Sequence, residues 1–164
     1  MVIVRATKNL RQRIGVPTLV EGERSTTMLG DWYATGLPWR PQVALLVNEM
    51  TLLPVLMPLA PAATMPARLA DEVADVLAAH GVPGTVVQAE RDQMREHRIA
   101  PTANRSVVGV MNEFTLLANT FRADLRPDLL GLAMRLSRTP CSPLYRRHVS
   151  PDRELAALVG AVAS

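Results

Sequence analysis

The sequence predicts an α+β domain in which a small, mainly antiparallel sheet packs against several helices. Three observations carry that expectation. Short apolar, β-branched runs lie at residues 1–6, 43–47 and 52–57, with a further short strand expected near 96–100. The stretches 65–80 and 104–121 repeat their apolar residues at helical spacing. A length of 164 residues, with 48% hydrophobic and 20% charged content, suits one domain over 1–164 that buries its own core.

Met1 to Ala6 reads as a strand. A short basic helix follows over Lys8 to Ile14, with Thr7 as its cap and Gly15 and Pro17 closing it. Val16 to Thr27 is polar and irregular, a loop leading into Met28, Leu29, Trp32 and Tyr33. In a chain with six aromatic residues, Trp32 and Trp39 are expected to anchor this loop against the sheet. Stacking on a nucleic-acid base is the alternative, and it requires exposed rings. Val43 to Val47 and Leu52 to Met57 flank a turn of hairpin length and should form the centre of the sheet. Pro54 cannot donate to a ladder, which puts its strand at an edge or a bulge.

Thr64 is the expected cap of a helix from about Met65 to His80, stopped by Gly81. Pro83 opens another helix over Gly84 to about Met94, whose Glu90, Arg91, Asp92 and Arg95 read as a solvated face. The central helix runs from 104 to 121 with Asn104 or Ser106 as cap, and Val107, Met111, Phe114, Leu117 and Phe121 form its apolar stripe. After a polar break at Arg122 to Arg126, Pro127 starts a helix carrying Leu129 to Leu136. Ser137 to Val149 is an arginine-rich, proline-bounded loop. Ser150 and Pro151 then open the last helix.

On the central helix, Arg105, Gly109 and Asn112 stack along one line away from the apolar stripe. Glycine inside a helix costs about 1 kcal/mol relative to alanine, so Gly109 is expected to admit a close neighbour. That neighbour is either a packed strand or loop, or the ligand of a small polar pocket. Cys141, among prolines and near Arg138, Arg146, Arg147 and His148, is the one thiol nucleophile candidate. The structural alternative is a buried small apolar side chain. Being the only cysteine, it excludes an internal disulfide. His80, His97 and His148 are scattered and Cys141 has no partner at ligand spacing, so neither a metal nor any other cofactor is expected. Nucleophile-elbow, phosphate-loop and dinucleotide glycine patterns are absent from the sequence.

Seventeen of the eighteen basic residues are arginine, as a GC-rich coding sequence would give. The net charge of +3 conceals a segregation: +3 over residues 1–40, −4 over 41–96 and +4 over 97–164. Two basic ends meeting in space would form a positive face. The first functional expectation is therefore a non-enzymatic module that binds nucleic acid or a protein partner through Arg11, Arg13, Arg138, Arg146 and Arg147, with Arg105 a further anion-binding candidate. The second is an enzyme for a phosphorylated or nucleic-acid substrate, with Arg105 holding an anion, Asn112 orienting the substrate and His97 as acid or base. A third is a toxin–antitoxin type association protein with a patch at Leu155, Leu158 and Val162. No run of residues is apolar enough for a membrane span, and a cytoplasmic location is expected.

Four blocks, LGDWYA from Leu29, TLLPVLMP from Thr51, NRSVVGVMNEF from Asn104, and TPCSPL with SPDRELAAL from Thr139 and Ser150, resemble an uncharacterised bacterial family of small single-domain proteins, a domain of unknown function. Glu113 stands where that pattern has aspartate. The resemblance implies a shared fold and supplies no catalytic residues.

Overall fold

The computed structural model describes residues 1–122 and 128–163. Five strands form one sheet: β1 (Val2–Ala6), β2 (Trp32–Leu37), β3 (Val43–Asn48), β4 (Pro54–Pro58) and β5 (His97–Pro101), in the order β4-β3-β2-β1-β5. The ladders β2–β3 and β3–β4 are antiparallel, while β1 pairs in parallel with β2 and with β5. Antiparallel residue pairs outnumber parallel ones, and the α+β class expected from the sequence is the one observed.

Among the described residues six α-helices complete the fold: α1 (Lys8–Ile14), α2 (Met65–Ala79), α3 (Gly84–Gln93), α4 (Arg105–Arg122), α5 (Leu129–Leu136) and α6 (Pro151–Ala163). Residues 123–127, where the polar break and the first-turn proline are expected, lie outside the described residues. Among the described residues no helix is long and apolar enough to cross a membrane.

Helices cover both faces of the sheet, so successive strand residues enter two different cores. Val2, Val4, Trp32, Ala34, Leu46 and Met57 face one core with Leu10, Leu69, Val73, Leu77 and Leu155. Tyr33, Leu45, Val47 and Leu56 face the other with Val107, Met111, Phe114 and Leu136. Burial on both sides explains why β3 reads as an uninterrupted apolar run rather than an alternating one.

The middle strand is β2, a stretch for which the sequence predicts no strand; the hairpin expected at the sheet's centre supplies β3 and the edge strand β4. Pro54 does begin that edge strand, opposite Val47. Trp32 and Trp39 are both buried, at 0% and 3% exposure, which removes base stacking by either ring.

Two buried polar side chains hold the segment that enters β2. Asn48 Nδ2 donates to the carbonyls of Leu29 (2.8 Å) and Asp31 (3.2 Å), while its Oδ1 accepts from the amides of Met50 and Thr51 and from the Thr51 hydroxyl. Glu90, expected on a solvated face, is instead 2% exposed and accepts the amides of Met28 (2.8 Å) and Leu29 (3.0 Å). Its amphipathic helix is only weakly apolar, so the periodicity of α3 alone carries no sign of this burial.

Burial raises the Glu90 pKa, and the two amide hydrogen bonds oppose that shift in part. The folded chain therefore holds this proton more tightly than the unfolded one, and the group's contribution to stability declines as pH rises through the raised value. Glu90→Gln is expected to reduce that slope. It should also lower the unfolding free energy by about 1–3 kcal/mol, because one amide loses its acceptor. Urea titrations of both proteins from mildly acidic to neutral pH check this, and an unchanged slope and midpoint would contradict it.

Candidate functional site

The loop from Pro38 to Gln42 joins β2 to β3 at one end of the sheet, and two clefts open on either side of it. The larger, about 560 Å³, lies between this loop, Pro58 and the end of α4, and it is lined by Trp39, Arg40, Gln42, Val43, Arg122 and Leu129 among others. The second, about 480 Å³, shares Pro38 and Gln42 with the first and extends to Thr7, Asn9, Leu10 and Arg13 on the α1 side. Both volumes fall in the range of ligand pockets.

The loop is tied down before any ligand arrives. Leu59 N donates to Gln42 O at 3.0 Å, fastening it to the end of β4. Trp39 Nε1 donates to Asn119 Oδ1 at 2.7 Å, and the Arg122 guanidinium lies 4.5 Å from the Trp39 ring centroid. This is a cation–π contact. On the other side, Arg13 Nη1 donates to Gln42 Oε1.

The electrostatics are one-sided. Among the described residues, no Asp or Glu lines either cleft. Arg5, Arg91, Arg95, Arg98 and Arg147 form ion pairs with carboxylates; no such pair joins a described carboxylate to Arg13, Arg40 or Arg122.

The basic residues singled out in the sequence do not form one face. Arg13 reaches Gln42 just before β3, whereas Arg147 shares a cavity with Thr51, beyond the far end of that strand. The six residues of β3 separate these points by about 20 Å. Arg11 Nε is engaged with the Ala6 carbonyl at 3.2 Å. Arg138 and Arg146 are exposed, the former close enough to His80 to influence its charge. Arg40 and Arg122 were not singled out: one sits before a proline and the other at a helix end, with no local pattern linking them.

Arg105, Gly109 and Asn112 are exposed on α4. A Cβ built on Gly109 would meet nothing within 4 Å, so neither a packed strand nor a pocket wall lies against it, and nothing in the structure explains the glycine. Asn104 does cap the helix, accepting from Ser106 N at 2.9 Å. His97 begins β5, opposite Val2, and lies about 13 Å of strand away from Pro101, so it does not join Arg105. Burial, helped by the neighbouring Arg98 charge, lowers its pKa. Leu155 is 1% exposed in the core and Leu158 is partly buried, so of the three residues of the expected association patch only Val162 is exposed.

Over residues 3–154 the sequence matches the family described as Domain of unknown function (DUF6933). The chain belongs to DUF6933. No curated protein and no solved structure matches it. In this DUF6933 chain the sequence blocks noted above supply structural anchors. Leu29 is held by Glu90 and Asn48, Asp31 pairs with Arg5 at 2.7 Å, and Cys141 is fully buried.

The Cys141 thiol donates to the Thr139 carbonyl at 3.4 Å, and burial, helped by the Glu113 charge, pushes its pKa up to about 11. It is therefore a packed, protonated thiol and not an activated nucleophile. A disulfide reagent is expected to leave the folded protein unlabelled and to titrate one thiol after unfolding. Rapid labelling of the native state would overturn that reading.

Proposed function

We propose that this chain is a cytoplasmic, non-enzymatic module that binds nucleic acid through phosphate contacts at the two clefts around the 38–42 loop. The observation that carries the reading is the convergence of Arg13, Arg40 and Arg122, none paired with a described carboxylate, on two adjoining clefts that no described acidic residue lines. Guanidiniums match phosphate oxygens bidentately, and several without a described carboxylate partner around adjoining clefts suit a ligand with successive phosphates better than a single anion. The described lining residues include no histidine, cysteine or carboxylate, which supports recognition rather than acid–base chemistry at this position. With both tryptophans buried, recognition would run through the backbone of the nucleic acid and discriminate little by sequence.

The test is binding of labelled single- and double-stranded RNA and DNA across a salt series. Affinity should fall steeply with salt, and Arg40→Ala/Arg122→Ala should weaken it by about tenfold per guanidinium and flatten the salt slope. Arg146→Ala/Arg147→Ala, at the other end of the sheet, should leave it near the parent value. Absence of binding at low salt, or equal affinity in parent and Arg40/Arg122 variant, would sink the reading.

A further inference from the structure

A different chemistry lies beyond the opposite end of β3. Glu154, near the start of α6, has a side chain only 4% exposed, and both of its carboxylate oxygens are engaged. His148 Nδ1 lies 2.8 Å from Oε2, and the Arg147 guanidinium pairs with Oε1. A carboxylate can only accept, so the imidazole proton belongs on Nδ1, and in the neutral ring Nε2 keeps its lone pair. The His148 side chain is half exposed and borders a cavity of about 200 Å³ with Met50, Thr51, Ala157 and Leu158.

The backbone bends unfavourably to make this arrangement. Val149 has φ 74°, a left-handed conformation that a β-branched residue rarely adopts. It is held there by hydrogen bonds of 2.9 Å from Cys141 N to its carbonyl and from its own amide to Leu144 O. This turn lets two adjacent residues, Arg147 and His148, reach the same buried carboxylate six or seven positions further on. The other histidines lack such a setting: His80 Nε2 is buried without a partner, and His97 is half-buried beside Arg98.

We propose that His148 Nε2 is a phosphoryl-accepting nucleophile and that the cavity beside it admits a small phosphoryl donor. The Nε2 lone pair forms a bond to phosphorus. The bond from phosphorus to the leaving group breaks, and that group departs with the electron pair and takes a proton from solvent. The Nδ1 proton stays on the ring, where Glu154 stabilises the positive charge that develops. The Arg147 guanidinium balances Glu154 and offers its remaining N–H groups to the phosphoryl oxygens.

Phosphoramidate, which transfers its phosphoryl group and releases ammonia, is the probe, with the modified residue mapped by tandem mass spectrometry under alkaline conditions. Native protein should carry one phosphoryl group on His148, gained at least about tenfold faster than on His97 and slowed about tenfold by Glu154→Gln. Urea-unfolded protein should lose the preference. His148 reacting no faster in the native than in the unfolded chain would overturn the proposal even if Glu154→Gln failed to fold, because a merely exposed histidine behaves that way. An unaffected rate in a folded Glu154→Gln variant would also overturn it. Arg40→Ala/Arg122→Ala should leave the labelling unchanged, so this result stands apart from nucleic-acid binding.

Discussion

Much of the architecture depends on how one short segment, 27–31, satisfies its backbone while entering a doubly covered sheet. Leu29 is fully buried, and both its amide and its carbonyl bond to side chains, Glu90 and Asn48, rather than to a ladder. Leaving such groups unpaired costs about 1–3 kcal/mol each, so the two polar side chains fix where β2 begins. Asn48 does so from the end of β3, and the same side chain closes the β3–β4 turn through Met50 and Thr51. One carboxamide therefore aligns the segment before β2 with two later strands.

Legibility in the sequence follows from how local the causes are. The hairpin, the last strand and the boundaries of α2, α3, α4 and α6 are set by turn residues, prolines and periodicity within a few positions, and they could be read. β2 could not. Its residues WYATGL contain a glycine and a threonine and lack polar alternation, because one face goes to the α2 core and the other to the α4 core. Glu90 was misread for a related reason: its acceptor role is created by amides some 61 residues earlier, with no local trace.

The candidate sites were less legible than the fold. Grouping arginines by their place in the chain joined Arg13 to Arg147, yet a strand separates them. The arginines that do converge, Arg13, Arg40 and Arg122, come from three separate segments whose proximity only the tertiary structure creates. His148 is a candidate in the sequence, but Glu154, six residues on across a loop-to-helix boundary, stands at no helical spacing to it and gives no signal of its own. What joins them is the left-handed Val149, and valine is a residue from which no sequence rule expects that conformation.

The two ends of the sheet also differ in how their cations are prepared. At the far end Arg147 is already neutralised by Glu154, so its charge is largely spent within the molecule. At the cleft end the face of Trp39 holds the Arg122 guanidinium, and no described carboxylate pairs with it. Trp39 can serve this way only because Asn119 receives its indole N–H, which allows the ring to be buried. Restraining a flexible arginine in advance removes part of the side-chain entropy a ligand would otherwise have to overcome, about 0.5–1.5 kcal/mol for such a side chain. The burial that takes Trp39 out of contention as a stacking platform is thus what lets it hold the Arg122 guanidinium in position.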